Sequence, residues 1–137
     1  MIQKEIYNAM VQAMKDKNTE DKATYSLLYS QLKNKAIELR VEELADSDSI
    51  SVIKKFVKTT TEEKESFEKA GRTEVVAGLT RAIALVSSYI PKQLDEAEIK
   101  AIIDTLEDKS MKAVMSYFKT NYQGSVDMGL VSKIARG

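Results

Sequence analysis

The sequence predicts an all-α protein, with an N-terminal helical bundle of about four helices followed by a small three-helix tail domain. Two observations carry that prediction. Strong helix formers such as Ala, Leu, Glu, Lys, Gln and Met fill most of the chain, and its five glycines and single proline stand as punctuation between them. Apolar residues recur at intervals of three and four rather than in alternation, which is the period of a helix with one buried face.

Ile2, Ile6, Met10, Ala13 and Met14 share one face of a first helix that ends near Asp16-Lys17-Asn18. Thr19 is expected to cap a second helix running to about Arg40, with Tyr25, Leu28, Leu32, Ala36 and Leu39 along its buried stripe. Met10, Met14, Tyr25 and Tyr29 are expected in the core or half in it. The cluster Asp46-Ser47-Asp48-Ser49 then serves as linker and cap for a third helix. In that helix Ile50, Ile53, Val57, Lys64 and Phe67 continue at near-heptad spacing to Gly71. Three successive β-branched residues, Thr59-Thr60-Thr61, make a weak spot in it. Gly71 reads as a C-terminal cap, and Thr73 with Glu74 opens a fourth helix carrying Val75, Val76, Leu79, Ile83 and Val86.

Pro91 cannot sit inside a helix and disfavours helical geometry at Ile90, so residues 89–94 form a turn. The domain boundary falls there, dividing residues 1–90 from residues 91–137. Asp95, with Glu98 three residues on, has the capping-box spacing for a fifth helix with Ile99, Ile102, Ile103 and Leu106 on its apolar side. Ser110 opens a sixth, with Met111, Val114, Met115, Phe118 and Tyr122 on one side. Gly124-Ser125 breaks it, and a last helix from about Val126 buries Leu130, Val131 and Ile134.

Composition excludes whole chemistries. The 137 residues contain no Cys, no His and no Trp, which removes Ser-His-Asp and Cys-His nucleophiles, Cys/His zinc sites and disulfides. None of the glycines falls into a dinucleotide or phosphate-loop motif. The carboxylates of Glu62-Glu63-Lys64-Glu65-Ser66-Phe67-Glu68-Lys69 read as a solvated helix face in which opposite charges meet within a turn, as Glu65 and Lys69 can. The expectation is therefore no catalytic residue, no metal and no cofactor. The longest apolar run, Ala82-Ile83-Ala84-Leu85-Val86, is far short of a membrane span, and charge in Met1-Ile2-Gln3-Lys4-Glu5-Ile6 argues against a secretory signal. A cytoplasmic location is expected.

Net charge is zero, with 21 basic and 21 acidic residues, but the charges are not evenly spread. Residues 1–108 carry 16 basic and 20 acidic side chains, whereas residues 109–137 carry five basic and one acidic, Asp127. Lys109, Lys112, Lys119, Lys133 and Arg136 form this cationic end, interleaved with Tyr117, Phe118 and Tyr122. Such a mixture can contact phosphates and stack on exposed bases, and Tyr122 is the candidate stacker.

Phe67-Glu68-Lys69-Ala70-Gly71-Arg72, followed by Tyr89-Ile90-Pro91-Lys92-Gln93-Leu94, resembles the YqeY family of small bacterial proteins. That family is similar to the C-terminal helical and tail regions of the B subunit of glutamine-dependent tRNA amidotransferase. Further matches are Met10-Val11-Gln12-Ala13-Met14-Lys15, Leu32-Lys33-Asn34-Lys35-Ala36-Ile37-Glu38-Leu39 and Ser110-Met111-Lys112-Ala113-Val114-Met115. Gly124-Ser125-Val126-Asp127 followed by Leu130-Val131-Ser132 completes the set, so the likeness covers nearly the whole chain. It implies structural roles for Gly71, Arg72, Tyr89, Pro91, Lys92, Gln93, Leu94, Gly124 and Asp127. It also implies an association with tRNA and no catalysis here, since carbon–nitrogen ligase chemistry with glutamine as amide donor belongs to parts of the larger enzyme without counterpart in this chain. In the tail loop the family pattern places an Arg after the Gly and Gly-Lys after the Asp, where this chain has Ser125 and Met128-Gly129. The alternative expectation is a protein-interaction adaptor with no nucleic-acid role, docking a partner helix on an apolar stripe around Leu85, Ile90 and Leu94.

Overall fold

The computed structural model describes all residues from Met1 to Gly137, and every regular element in it is a helix. These are α1 (Ile2–Lys15), α2 (Thr19–Glu38), α3 (Asp46–Lys69), α4 (Thr73–Ser87), α5 (Glu96–Asp104), α6 (Met111–Asn121) and α7 (Met128–Arg136). The helices gather into two compact units, Met1–Tyr89 and Ile90–Gly137. No helix is long and apolar enough to cross a membrane. No group of acidic side chains is placed to hold a metal ion.

In the N-terminal unit α1 packs chiefly on α2, and α3 chiefly on α4, giving two helical hairpins. Ile6, Leu28, Leu32, Leu44 and Ile53 are fully buried between them. Polar contacts far apart in sequence then fix how the hairpins meet. The Asp46 carboxylate accepts from the Ile2 backbone N–H at 2.9 Å, and the buried Gln3 side chain accepts from the Leu44 N–H at 2.7 Å. Near the start of α2, Arg81 of α4 grips Asp21 with two parallel bonds, Nε to Oδ1 at 2.7 Å and Nη2 to Oδ2 at 2.8 Å. This fork geometry is the strong form of an ion pair.

Several local expectations are corrected. Asn18, not Thr19, caps α2: its side chain accepts from the Asp21 N–H while its amide donates to the Asp21 carboxylate. The second helix stops at Glu38 because Arg40 takes a positive φ of 58°, and Leu39 is left exposed instead of buried. Asp46 is already inside α3, whose capping residue Ala45 has no side-chain acceptor, so the Asp-Ser cluster does not cap it. The buried stripe of α3 runs Ile50, Ile53, Phe56, Thr60 rather than through Val57 and Lys64.

The Thr59-Thr60-Thr61 segment does not interrupt α3. Thr60 is buried and the Thr61 hydroxyl donates to the Val57 carbonyl at 2.7 Å, so packing and a local bond override weak propensity. Met14 is exposed rather than core, whereas Tyr29 is half-buried against the Tyr7 ring, their centroids 5.3 Å apart. On the charged face the pair formed is Lys64 with Glu68 at 3.7 Å, one residue before the expected Glu65 and Lys69. Gly71, with φ +73°, follows the last turn of α3 as expected, and the Arg72 N–H returns to the Phe67 carbonyl. In α4 the buried residues are Ala82 and Val86, with Ile83 half-exposed.

The Asp21–Arg81 pair makes a pH prediction. Two bonds from Arg81 hold the Asp21 carboxyl below its ordinary value of 3.8, against the opposing effect of burial. A carboxyl lowered in the folded state contributes stability that is present above its unfolded value and lost as pH falls through the folded one. The urea midpoint of the native chain should therefore fall more steeply below about pH 4 than that of Asp21→Asn, which cannot titrate there. Parallel pH profiles for the two proteins would show that the pair carries no stabilisation.

Candidate nucleic-acid interface

The C-terminal unit is built around Ile99, Ile103, Val114, Phe118, Val126 and Val131, all buried. The Phe118 ring lies tilted at 5.6 Å from Tyr122 and edge-on at 5.9 Å from Tyr117, so three aromatic rings form one cluster. The expected capping box of α5 is present in full: Asp95 accepts from the Glu98 N–H, and Glu98 accepts from the Asp95 N–H. Ser110 caps α6, and Asp127 caps α7 by accepting from the Gly129 N–H at 2.8 Å. That cap starts α7 at Met128, two residues later than expected.

The two segments that carry the family resemblance in this unit meet in space. The Gln93 amide donates to the Gly124 carbonyl at 2.7 Å and to the Pro91 carbonyl at 2.8 Å, while the Leu94 N–H donates to the Ser125 carbonyl at 2.8 Å. Gly124 has φ +81°, a left-handed conformation that glycine adopts without strain. Pro91, Gln93, Leu94, Gly124 and Ser125 thus form the brace that ties residues 91–94 to the turn between α6 and α7, while Asp127 acts as the cap of α7. Leu94 packs on the core of this unit, and Leu85, Ile90 and Leu94 are each half-buried. Lys92 and Arg72 are exposed. Tyr89 is half-buried in the N-terminal unit, and burial, with the Tyr25 and Glu5 side chains adding to it, raises its hydroxyl above the ordinary value.

The cationic residues fall into two kinds. The Lys109 ammonium donates to the Leu106 carbonyl at 2.7 Å and so closes the end of α5. Lys112 and Lys119 of α6 and Lys133 and Arg136 of α7 are exposed, and none of the four pairs with a carboxylate. Lys112 and Lys119 lie two turns apart on one side of α6, about 10 Å along its axis. Lys133 and Arg136 sit one turn apart at the end of α7, where a helix dipole favours positive charge. Because α6 and α7 pack on each other, these four charges belong to one helical pair. Tyr122 is half-buried within the aromatic cluster, so its ring serves the core first and offers only its remaining exposed part.

Residues 95–108 bring six carboxylates against one lysine, so the unit as a whole is neutral and strongly polar, acidic around α5 and basic on α6 and α7. At the junction, the Asp108 carboxylate accepts from the Ser110 N–H at 2.9 Å, and that bond lowers its pKa. An anionic ligand would be attracted to one side of the unit and repelled from the other.

The family model for Yqey-like protein matches residues 3–137. The chain belongs to the YqeY-like family. No curated protein matches this member of the family. The match embraces both units, so the brace formed by Gln93 and Gly124 and the cation-bearing pair α6 and α7 lie inside the YqeY-like region.

Proposed function

We propose that this YqeY-like chain is a non-catalytic tRNA-associated or RNA-associated module whose C-terminal unit holds the phosphate backbone through Lys112, Lys119, Lys133 and Arg136. The observation that carries this reading is that all four cations are exposed and free of carboxylate partners on two helices packed together. A cation already paired must give up that partner to bind phosphate, whereas these four release only counterions from the nucleic acid. The resemblance to the tail of the tRNA amidotransferase B subunit supports tRNA as the partner. The absence of His and Cys from the sequence supports a binding rather than a catalytic role. A cytoplasmic location is part of the same proposal.

The double variant Lys112→Ala with Lys119→Ala tests the assignment. Its affinity for bulk tRNA should drop roughly tenfold at physiological salt, and the slope of log affinity against log salt should become shallower by about two. Both side chains are exposed, so the melting temperature should be unchanged. An unaltered binding curve would remove α6 from the interface.

A further inference from the structure

A groove of about 680 Å³ runs along the N-terminal unit between α2 and α3, and no residue of the proposed RNA interface lines it. Its α2 wall is a single helix face from Ala23 through Leu27, Gln31 and Asn34 to Glu38, and its α3 wall is the face from Ser51 through Lys55, Phe56 and Thr59 to Glu63. At 1.5 Å per residue these walls are about 22 Å and 18 Å long. The void is thus an elongated trough walled by α2 and α3, with Leu79 and Ala82 of α4 also lining it. It exists because each helix spends its main packing face on its hairpin partner, α2 on α1 and α3 on α4.

Leu27 stands in this trough 56% exposed, beside Leu28, which is fully buried. Val52 and Leu79, both half-buried, and Phe56, only 6% exposed, line the trough as well. The trough therefore has apolar side chains in its lining, and its two exposed α3 charges are of opposite sign. Along the α3 wall Lys55, beside Phe56, and Glu63, at the far end, are both exposed and neither forms an ion pair, while Lys35 is already engaged with Glu38 at 3.3 Å. Lys55 and Glu63 lie eight residues apart on α3, about 12 Å.

We infer that this trough is a docking site for an amphipathic helix of a partner protein, one of about 12–15 residues that completes a bundle with α2 and α3. The length and parallel walls select a rod-shaped occupant. The charges select its chemistry and direction: apolar side chains at i, i+4 and i+7 to cover Leu27, Val52 and Leu79, a basic side chain toward Glu63, and an acidic one two turns on toward Lys55. A helix lying with its N-terminus at the Glu63 end also places the two ends of its dipole against opposite charges.

A display library of amphipathic helical peptides, panned on the intact chain, tests this. Selected peptides should share the three-residue apolar pattern with a basic and an acidic residue about two turns apart. Leu27→Glu should weaken a synthesised winner at least tenfold without altering the melting temperature, since Leu27 is exposed. The charge swap Lys55→Glu with Glu63→Lys, which touches no apolar contact, should reverse the preference so that the charge-reversed peptide binds better. Failure to enrich helical peptides, winners that bind Leu27→Glu equally well, or winners indifferent to the charge swap would overturn the proposal. Sedimentation showing that the chain alone forms a dimer abolished by Leu27→Glu would overturn it too, assigning the trough to a second copy.

Discussion

Phe118→Ala should unfold the C-terminal unit while the N-terminal unit remains folded. Phe118 is the largest fully buried side chain of the molecule, and Tyr117, Tyr122, Val114 and Val131 gather around it. Truncating a buried Phe to Ala typically costs about 3–5 kcal/mol. A core this small rarely supplies more than about 3–5 kcal/mol in total, so the loss is comparable to everything the unit has. In a heteronuclear spectrum the amide resonances of residues 90–137 should collapse toward unfolded positions while those of residues 1–89 stay dispersed. Loss of both sets would show that the two units fold as one, and loss of neither would show that the aromatic cluster is dispensable.

Leu28→Ala and Leu27→Ala, neighbouring substitutions of the same chemistry, should differ by several kcal/mol. Leu28 is fully buried between the hairpins, and removing it should lower unfolding free energy by about 2–5 kcal/mol, the transfer loss plus the cavity left behind. Leu27, 56% exposed in the trough, should cost no more than about 0.5 kcal/mol. Urea unfolding at constant slope would register the pair as one large and one negligible shift in midpoint. Equal effects would mean that α2 is rotated from the orientation described, closing the trough in solution.

These two leucines also show where reading the chain as a string reaches its limit. The three-and-four spacing places Leu28, Leu32 and Ala36 on the buried stripe, and they are buried. It says nothing of Leu27, whose exposure depends on how far α3 stands from α2. Local chemistry was readable at several helix ends, though Asn18 rather than Thr19 caps α2. The Asp95 and Glu98 capping box, the Ser110 cap and the left-handed Gly71 were all recognisable from spacing and residue type. Contacts across tens of residues were not: Asp46 looked like a cap because Asp-Ser clusters usually are caps, yet its carboxylate is spent on Ile2, 44 positions away.

The same contrast holds at the candidate interface. The surplus of cations after residue 108 is visible in the composition, but which of them are available is a matter of three-dimensional neighbours. Lys109 directs one hydrogen bond to the Leu106 carbonyl, whereas Lys112, Lys119, Lys133 and Arg136 are not tied to a neighbouring carbonyl, and none of the five has a carboxylate partner. Tyr122 shows the opposite limit, since an aromatic among lysines suggests base stacking until its packing on Phe118 is seen. The segments around Gln93 and Gly124 were recognisable as family patterns, and the structure supplies their physical reason, a pair of hydrogen bonds spanning 31 positions.

The most direct test of the RNA-binding account is a titration of the intact chain with bulk tRNA over a series of salt concentrations. Four phosphate contacts at about 0.7–0.9 counterions each should give a log–log slope of about −3 to −3.5, with binding strongest at low salt. Absence of binding at low salt, or binding with a slope near zero, would contradict the account and leave α6 and α7 as a solvated cationic face.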